Sequence, residues 1–380
     1  MPFFTNPMDK SKGHVDKFFL GLVLILVAIG TIIFISASLG VYAKNEVKFL
    51  GVLENQIIFG LVGGLLAMYI TSKIPYGFWK KWSVPILLVS IVGLVLVFIP
   101  AISLTHGGAR RWISIFGVSF QPVEFFKIAF IIYSAKYLSW LKNKKFDKAS
   151  LIAPALLIVT SFALLFKQPD TKSIILLTAV FGALLFVFGV KLKKILIIFV
   201  SICAVLAIAV LTRPYLRERI QTFINPASDL RGASFQLDQS HIAIGSGGIF
   251  GRGLGQSVQK FSYLPEPQGD SIFAVLGEEF GFVGTFSVII LYVAFALRGF
   301  RIARRAPDMF SSLLVLGIIT MITAQSFINI AAMSGLFPLT GVPLVFMSHG
   351  GTSLMISLAA MGIILNVSKN QRDLTREEKD

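Results

Sequence analysis

Charge is scarce in this sequence. Asp, Glu, Lys and Arg make up 14% of its 380 residues, where a soluble domain has about 25%, so the chain could not cover a water-facing surface. Cysteine is rarer still: the single Cys203 excludes an internal disulfide and any multi-cysteine metal site. His241 has no metal-ligand spacing around it. Neither an internal repeat nor a low-complexity segment is present, and 55% hydrophobic residues with 35 Phe exclude disorder. The net charge of +16 fits either nucleic acid or an acidic membrane surface, and the placement of the charges decides.

What the chain has is long apolar runs. About 20 residues at 1.5 Å each cross the hydrocarbon of a bilayer, and ten runs qualify: 18–39, 49–70, 84–104, 118–138, 150–166, 173–190, 195–212, 271–297, 311–334 and 344–367. They are continuously apolar and too long for barrel strands. The expected fold is therefore an all-α polytopic membrane protein with ten transmembrane helices. Residues 1–17 form an N-terminal tail, 18–212 hold helices one to seven, 213–270 form a large outer loop, 271–367 hold helices eight to ten, and 368–380 form a C-terminal tail. The first run is too long for a signal-peptide core and reads as an uncleaved helix. With the N-terminus inside, the inner segments carry 21 Lys and Arg against 6 in the short outer loops. Both termini are thus expected in the cytoplasm, and the basic excess is mostly a topology signal that requires no nucleic acid.

Polar chemistry breaks the apolar pattern on the outer side. Arg110 and Arg111 precede Gln121, Glu124 and Lys127, which enter the fourth run. Glu124 and Lys127 are three apart and share a helical face; they read either as a structural ion pair or as a polar cavity wall. Gln168-Pro169-Asp170, read by composition, is an ordinary turn. The 213–270 segment is far longer than a bundle connection. It carries Arg213, Arg217, Arg219, Gln236, Gln239 and Lys260, and ends Tyr263-Leu264-Pro265-Glu266-Pro267-Gln268-Gly269-Asp270. Its glycines at 245–255 lack the last Gly of a dinucleotide fingerprint and no βαβ unit surrounds them, so turns and close helix packing are expected. Asp270 opens the eighth run and is either its N-cap or a catalytic group. Ser348 and His349 stand in a Gly- and Pro-broken stretch before the last run, expected to be non-helical backbone covered by protein.

These pieces together resemble the SEDS family of cell-wall proteins, the FtsW/RodA group. The resemblance rests on GARRWI (Gly108–Ile113), FQPVEFFK (Phe120–Lys127), QPD (Gln168–Asp170), the stretch Phe235–Glu266, Glu278-Glu279 and GLFPLTGVPL…SHGGTS (Gly335–Ser353), in that order. Gly253–Glu266 is nearer to the FtsW side of the group. The chain departs from the family pattern at Gln268-Gly269-Asp270-Ser271, where His-Thr-Asp-Phe is common. Lys172-Ser173 replaces the usual Gly-Thr or Gly-Ser, and Ser348-His349-Gly350-Gly351-Thr352 replaces Ser-Tyr-Gly-Gly-Ser.

The resemblance implies a peptidoglycan glycosyltransferase that polymerises lipid II on the outer face of the bacterial cytoplasmic membrane, at the division septum. Implied partners are a class B penicillin-binding transpeptidase, other division proteins and membrane lipids. A lipid II flippase and a non-enzymatic division scaffold are the rival readings. An α-linked donor giving a β-1,4 product requires one inversion and hence one base, for which Asp270 is the candidate. Arg110, Arg111, Arg213, Arg217 and Lys260 are the expected cations for the departing diphosphate. Gln121, Glu124, Lys127, Gln168, Asp170, Gln239, Glu266, Ser348 and His349 complete the expected substrate site. No cofactor is implied, apart from a divalent cation, Mg or Mn, that could share the diphosphate charge.

Overall fold

The computed structural model describes residues 13–43, 45–106, 109–115, 118–142, 152–212, 214–225 and 233–371. Arg213 and most of both tails lie outside the described residues. Thirteen helices are present among them: α1 (Lys17–Tyr42), α2 (Glu46–Lys73), α3 (Tyr76–Leu96), α4 (Pro122–Leu141), α5 (Ile152–Lys167), α6 (Thr171–Phe188), α7 (Leu192–Thr212), α8 (Pro214–Ile224), α9 (Ala233–Ser246), α10 (Gln259–Ser262), α11 (Ile272–Arg304), α12 (Met309–Met333) and α13 (Gly351–Ser368). Seven of these, α1, α2, α3, α6, α11, α12 and α13, are long and apolar enough to cross a membrane. Helices α4, α5 and α7 fall on the other three apolar runs.

Helix starts follow local chemistry. The Asp16 carboxylate accepts the Phe19 amide at 2.9 Å to cap α1, and Asp308 and Ser311 exchange bonds in a capping box before α12. Pro122 sits in the first turn of α4, where its missing N–H costs nothing. Helix α13 is the most enclosed, with 78% of its apolar stretch buried against 17% in α2, so α13 is central and α2 faces outward.

Two expectations of an all-helical chain are corrected. Residues 97–104 and 118–120, taken as ends of the third and fourth spans, belong to turns and a three-stranded antiparallel sheet: β1 (Ser103–His106), β2 (Ala109–Ile115) and β3 (Val118–Phe120). Ser103 pairs with Ile113, which in turn pairs with Phe120. Trp112, Ile113, Ile115, Val118 and Phe120 are residues that favour strands, while a hydropathy window reads only their apolarity. The last helix begins at Gly351, not 344, because residues 344–347 are irregular and buried.

The glycine run has a structural use. Helix α11 breaks at Gly281 (φ 62°, ψ −159°), which frees two carbonyls and two amides inside the bundle. All four are satisfied by the run: Arg252 and Gly253 amides donate to Glu278 and Glu279 carbonyls at 3.0 Å, and Phe282 and Val283 amides donate to Gly248 and Ile249 carbonyls at 2.9 and 3.1 Å. A Cβ at Gly251 (φ 80°) would collide with the Glu279 carbonyl, so the close approach requires glycine there. Packing, as expected from sequence, is what the glycines serve.

Helix α2 widens into a π segment at Asn55–Val62. Its buried Gln56 donates to the Ser348 carbonyl at 3.3 Å and accepts the Gly350 amide at 2.9 Å. The irregular stretch before α13 is thereby satisfied by protein, as non-helical backbone at membrane depth must be.

Candidate functional site

Asp270 does not cap α11. The N-cap is Ser271, with no side-chain cap bond, and the Asp270 carboxylate instead accepts Gln236 Nε2 from α9 at 3.1 Å. Gln236 also donates to Ser271 Oγ at 2.9 Å. Below it, Asn329 Nδ2 of α12 bonds the Asp270 carbonyl at 2.8 Å and the Val342 carbonyl at 2.7 Å. Asp270 is therefore held from two helices, with its side chain presented rather than spent on a helix end. Burial pushes its carboxyl above the ordinary carboxylate value; Lys172 and Arg219 pull it back, and Glu266 reinforces the rise.

A cavity of about 580 Å³ lies nearby; Asp270 does not line it, but Arg219 does, and the two flank Gly341. Ile175 of α6, Ala207, Val210 and Leu211 of α7 and Ile220 of α8 give the cavity an apolar wall, and Arg111, Lys172 and Arg219 are its cationic residues. Arg111 Nε donates to the Gln168 carbonyl at 3.1 Å, and its Nη2 bonds the Pro169 carbonyl. Arg219 Nη1 donates to the Leu339 carbonyl at 2.7 Å. Lys172 Nζ donates to the Gly341 carbonyl at 2.6 Å. Gly341 (φ 66°) stands between Arg219 and Asp270: a Cβ there would lie 3.6 Å from both Arg219 Nη2 and Asp270 Oδ2.

The other expected residues divide into those near the cavity and those used elsewhere. Glu124 and Lys127 are buried and paired at 2.8 Å; Lys127 also donates to Gln325 at 2.9 Å, and Ser353 donates to Glu124 at 3.0 Å. The pair thus ties α4 to α12 and α13. Gln168 Nε2 donates to the Leu94 carbonyl at 2.7 Å. Asp170 caps α6 and accepts the Ser173 hydroxyl at 2.8 Å. Gln121 is buried at the N-cap position of α4, while Gln239 is half-buried on α9. Ser348 Oγ accepts the Leu344 amide at 2.8 Å. His349 stacks on Phe34 at 6.0 Å, and its amide donates to the Gln268 carbonyl at 2.7 Å. Glu266 is exposed in the turn before Asp270.

Three expected diphosphate cations are not at the cavity. Lys260 is fully buried in an ion pair with Glu279 at 2.6 Å, and also donates to Ser36 at 2.9 Å. Arg110 is exposed on β2, and Arg217 is exposed and turned back to the Leu211 carbonyl. Position in a loop could not show this, because a long loop folds back into the bundle. Sequence reasoning passed over Lys172, Gln236, Arg219, Gln325 and Asn329 as site residues. Polar residues inside apolar helices (Gln325, Asn329) were the available signal. No group of three His, Cys, Asp or Glu side chains converges as a metal site among the described residues.

Residues 16–373 match the model of the cell cycle protein family of FtsW, RodA and SpoVE. The chain is 39% identical to stage V sporulation protein E of Bacillus subtilis (strain 168) over 370 residues, covering 96% of this chain and all of that one. It is 40% identical to a "Probable peptidoglycan glycosyltransferase FtsW" of Trichlorobacter lovleyi over 358 residues, 93% of each. Among solved structures, a chain from one described as "Structural coordination of polymerization and crosslinking by a peptidoglycan synthase complex" superposes with a TM-score of 0.76 at 26% identity, covering 94% of this chain and 98% of that one. RodA of Thermus thermophilus superposes with a TM-score of 0.69 at 25% identity, over 94% and 98%. A match across nearly the whole chain, in sequence and in fold, makes it a membrane protein of the FtsW, RodA and SpoVE family.

Proposed function

We propose that this protein is a peptidoglycan glycosyltransferase that polymerises lipid II at the outer face of the cytoplasmic membrane during division, with Asp270 as general base. The observation that carries this reading is the Asp270 carboxylate, positioned by Gln236 and set across Gly341 from Arg219, which lines a cavity of cationic and apolar side chains. The relatives' names and the synthase-complex neighbour support the same activity.

The acceptor sugar's 4-hydroxyl gives its proton to the Asp270 carboxylate as its oxygen bonds the donor's anomeric carbon. The bond from that carbon to the diphosphate breaks in the same step, and the diphosphate leaves with the electron pair. One inversion results, and a good anionic leaving group needs no general acid, unlike the two-carboxyl glycosidases. A base whose acidity is weakened by burial is better matched to neutral pH than an ordinary carboxylate. Arg111 and Arg219 stabilise the departing charge. The apolar wall takes the first part of a polyprenyl tail. Ten spans, cytoplasmic termini, an external 213–270 segment and a class B penicillin-binding transpeptidase as partner complete the reading.

The test is lipid II polymerisation by the purified protein, with and without its transpeptidase. Asp270→Asn keeps the hydrogen bond from Gln236 possible and removes the base. Its rate should fall by about 10²-fold or more with the melting temperature unchanged. Near-normal polymerisation by this variant would falsify the assignment.

A further inference from the structure

The mechanism above leaves one cavity cation unused. Lys172 stands in the first turn of α6, half-buried, and an ammonium carries three donors. One goes to the Gly341 carbonyl at 2.6 Å. Among the described residues its ammonium has no other hydrogen-bond acceptor, and no carboxylate lies within salt-bridge distance. The nearby acids are engaged elsewhere: Asp170 on Ser173, Glu124 on Lys127 and Ser353, and Asp270 on Gln236. The cavity lining itself contains no Asp or Glu.

A second side chain on the same wall is also short of a partner. Thr340, next to Gly341, lines the cavity, and its Oγ1 is enclosed without a hydrogen-bond partner among the described residues. Enclosed polar groups are nearly always satisfied, and two of the three ammonium donors of Lys172 have no protein acceptor among the described residues. Two unmet donors on one wall, flanked by Arg111 and Arg219, are arranged for an anion with several acceptor oxygens.

We propose that Lys172, with the Thr340 hydroxyl, directly binds the diphosphate of a polyprenyl-linked substrate in this cavity, which makes Lys172 a substrate-binding residue of this chain. The ammonium keeps its bond to Gly341 and turns its remaining donors to phosphate oxygens, while Arg111 and Arg219 face the same group. Selectivity by charge follows: a diphosphate offers these donors more negative charge and more acceptor oxygens than a monophosphate, and a neutral prenyl alcohol offers no charge at all. This inference rests on the glycosyltransferase reading for the identity of the substrate, but its test does not need turnover.

The experiment measures binding of undecaprenyl diphosphate, and separately of undecaprenyl monophosphate, to the full chain in nanodiscs. Lys172→Met should weaken diphosphate binding by about 10-fold to 100-fold, the worth of one or two charge-assisted hydrogen bonds, and should erase the preference over monophosphate. Lys172→Arg should restore most of the binding. Lys172→Gln can still donate to Gly341 but lacks the charge, so it carries the test if the Met variant fails to fold. Diphosphate affinity in Lys172→Gln equal to that of the natural protein, or a lowered melting temperature with unchanged affinity, overturns the proposal and leaves Lys172 as a strut for Gly341. A protein that binds the diphosphate through Lys172 yet does not polymerise lipid II would overturn the proposed function while this inference stands.

Discussion

Asp170 and Asp270 both stand at the start of an apolar helix, and only one of them caps it. Asp170 stands at the N-cap position and accepts both the amide and the hydroxyl of Ser173, so its charge is spent on α6. Asp270 is one residue too early; Ser271 takes the cap position and the carboxylate turns to Gln236. The consequence is measurable in pH. Burial and Glu266 raise the Asp270 carboxyl above its ordinary 3.8, against the pull of Lys172 and Arg219. A base works only when ionised, so the acid limb of the polymerisation rate should lie above that value. Glu266→Gln removes a neighbouring negative charge, lowers the Asp270 value and should move the acid limb to lower pH. A limb that stays put or moves upward in a pH–rate profile of this variant would refute the coupling. Stability responds in the opposite sense: a raised carboxyl favours the folded state at low pH, and that contribution is lost as pH rises through the raised value.

At the scale of elements, the charged pair Glu124–Lys127 holds three helices together. Each member has a second partner, Ser353 on α13 for Glu124 and Gln325 on α12 for Lys127. Removing one member strands the other charge in a buried site, which typically costs about 3–5 kcal/mol. Glu124→Gln and Lys127→Met should each destabilise strongly, and the double variant should lose less than the sum of the two. Strict additivity of melting stabilities in that cycle would mean the pair is not coupled. The break in α11 makes the complementary point for backbone. Gly281 leaves four polar groups unpaired in the bundle, and the glycine run meets all four. A functional nucleotide loop would instead have left those amides free.

For the whole molecule, the proposed topology carries its own test. Cysteines introduced at Lys145 or Arg301, in a protein whose Cys203 is replaced, should be labelled only from inside, and one at Leu230 only from outside. The asymmetry of Lys and Arg along the chain is the basis for this expectation. Labelling of position 145 or 301 from outside would invert the protein and move Asp270 to the cytoplasmic face, away from an external substrate. The central position of α13 and the outward face of α2 fit a bundle assembled around its last spans.

Hydropathy and charge placement alone determined the membrane class and the expected orientation, because water-to-lipid transfer depends on composition over about 20 residues and not on neighbours. The Glu124–Lys127 pair was legible for the same reason: a three-residue spacing on a helix settles proximity without the rest of the fold. Asp270 could be picked out, but not its role, since cap and catalyst begin from the same residue at the same place. Only the tertiary structure decided which cations meet it. Lys260 stands in the same long segment as Arg219, yet it is consumed by Glu279 from α11 while Arg219 lines the cavity. Lys172, at the end of an apolar run, had no local mark of its position. Which charges share a cavity depends on contacts between segments far apart in the chain, and no local pattern encodes those distances.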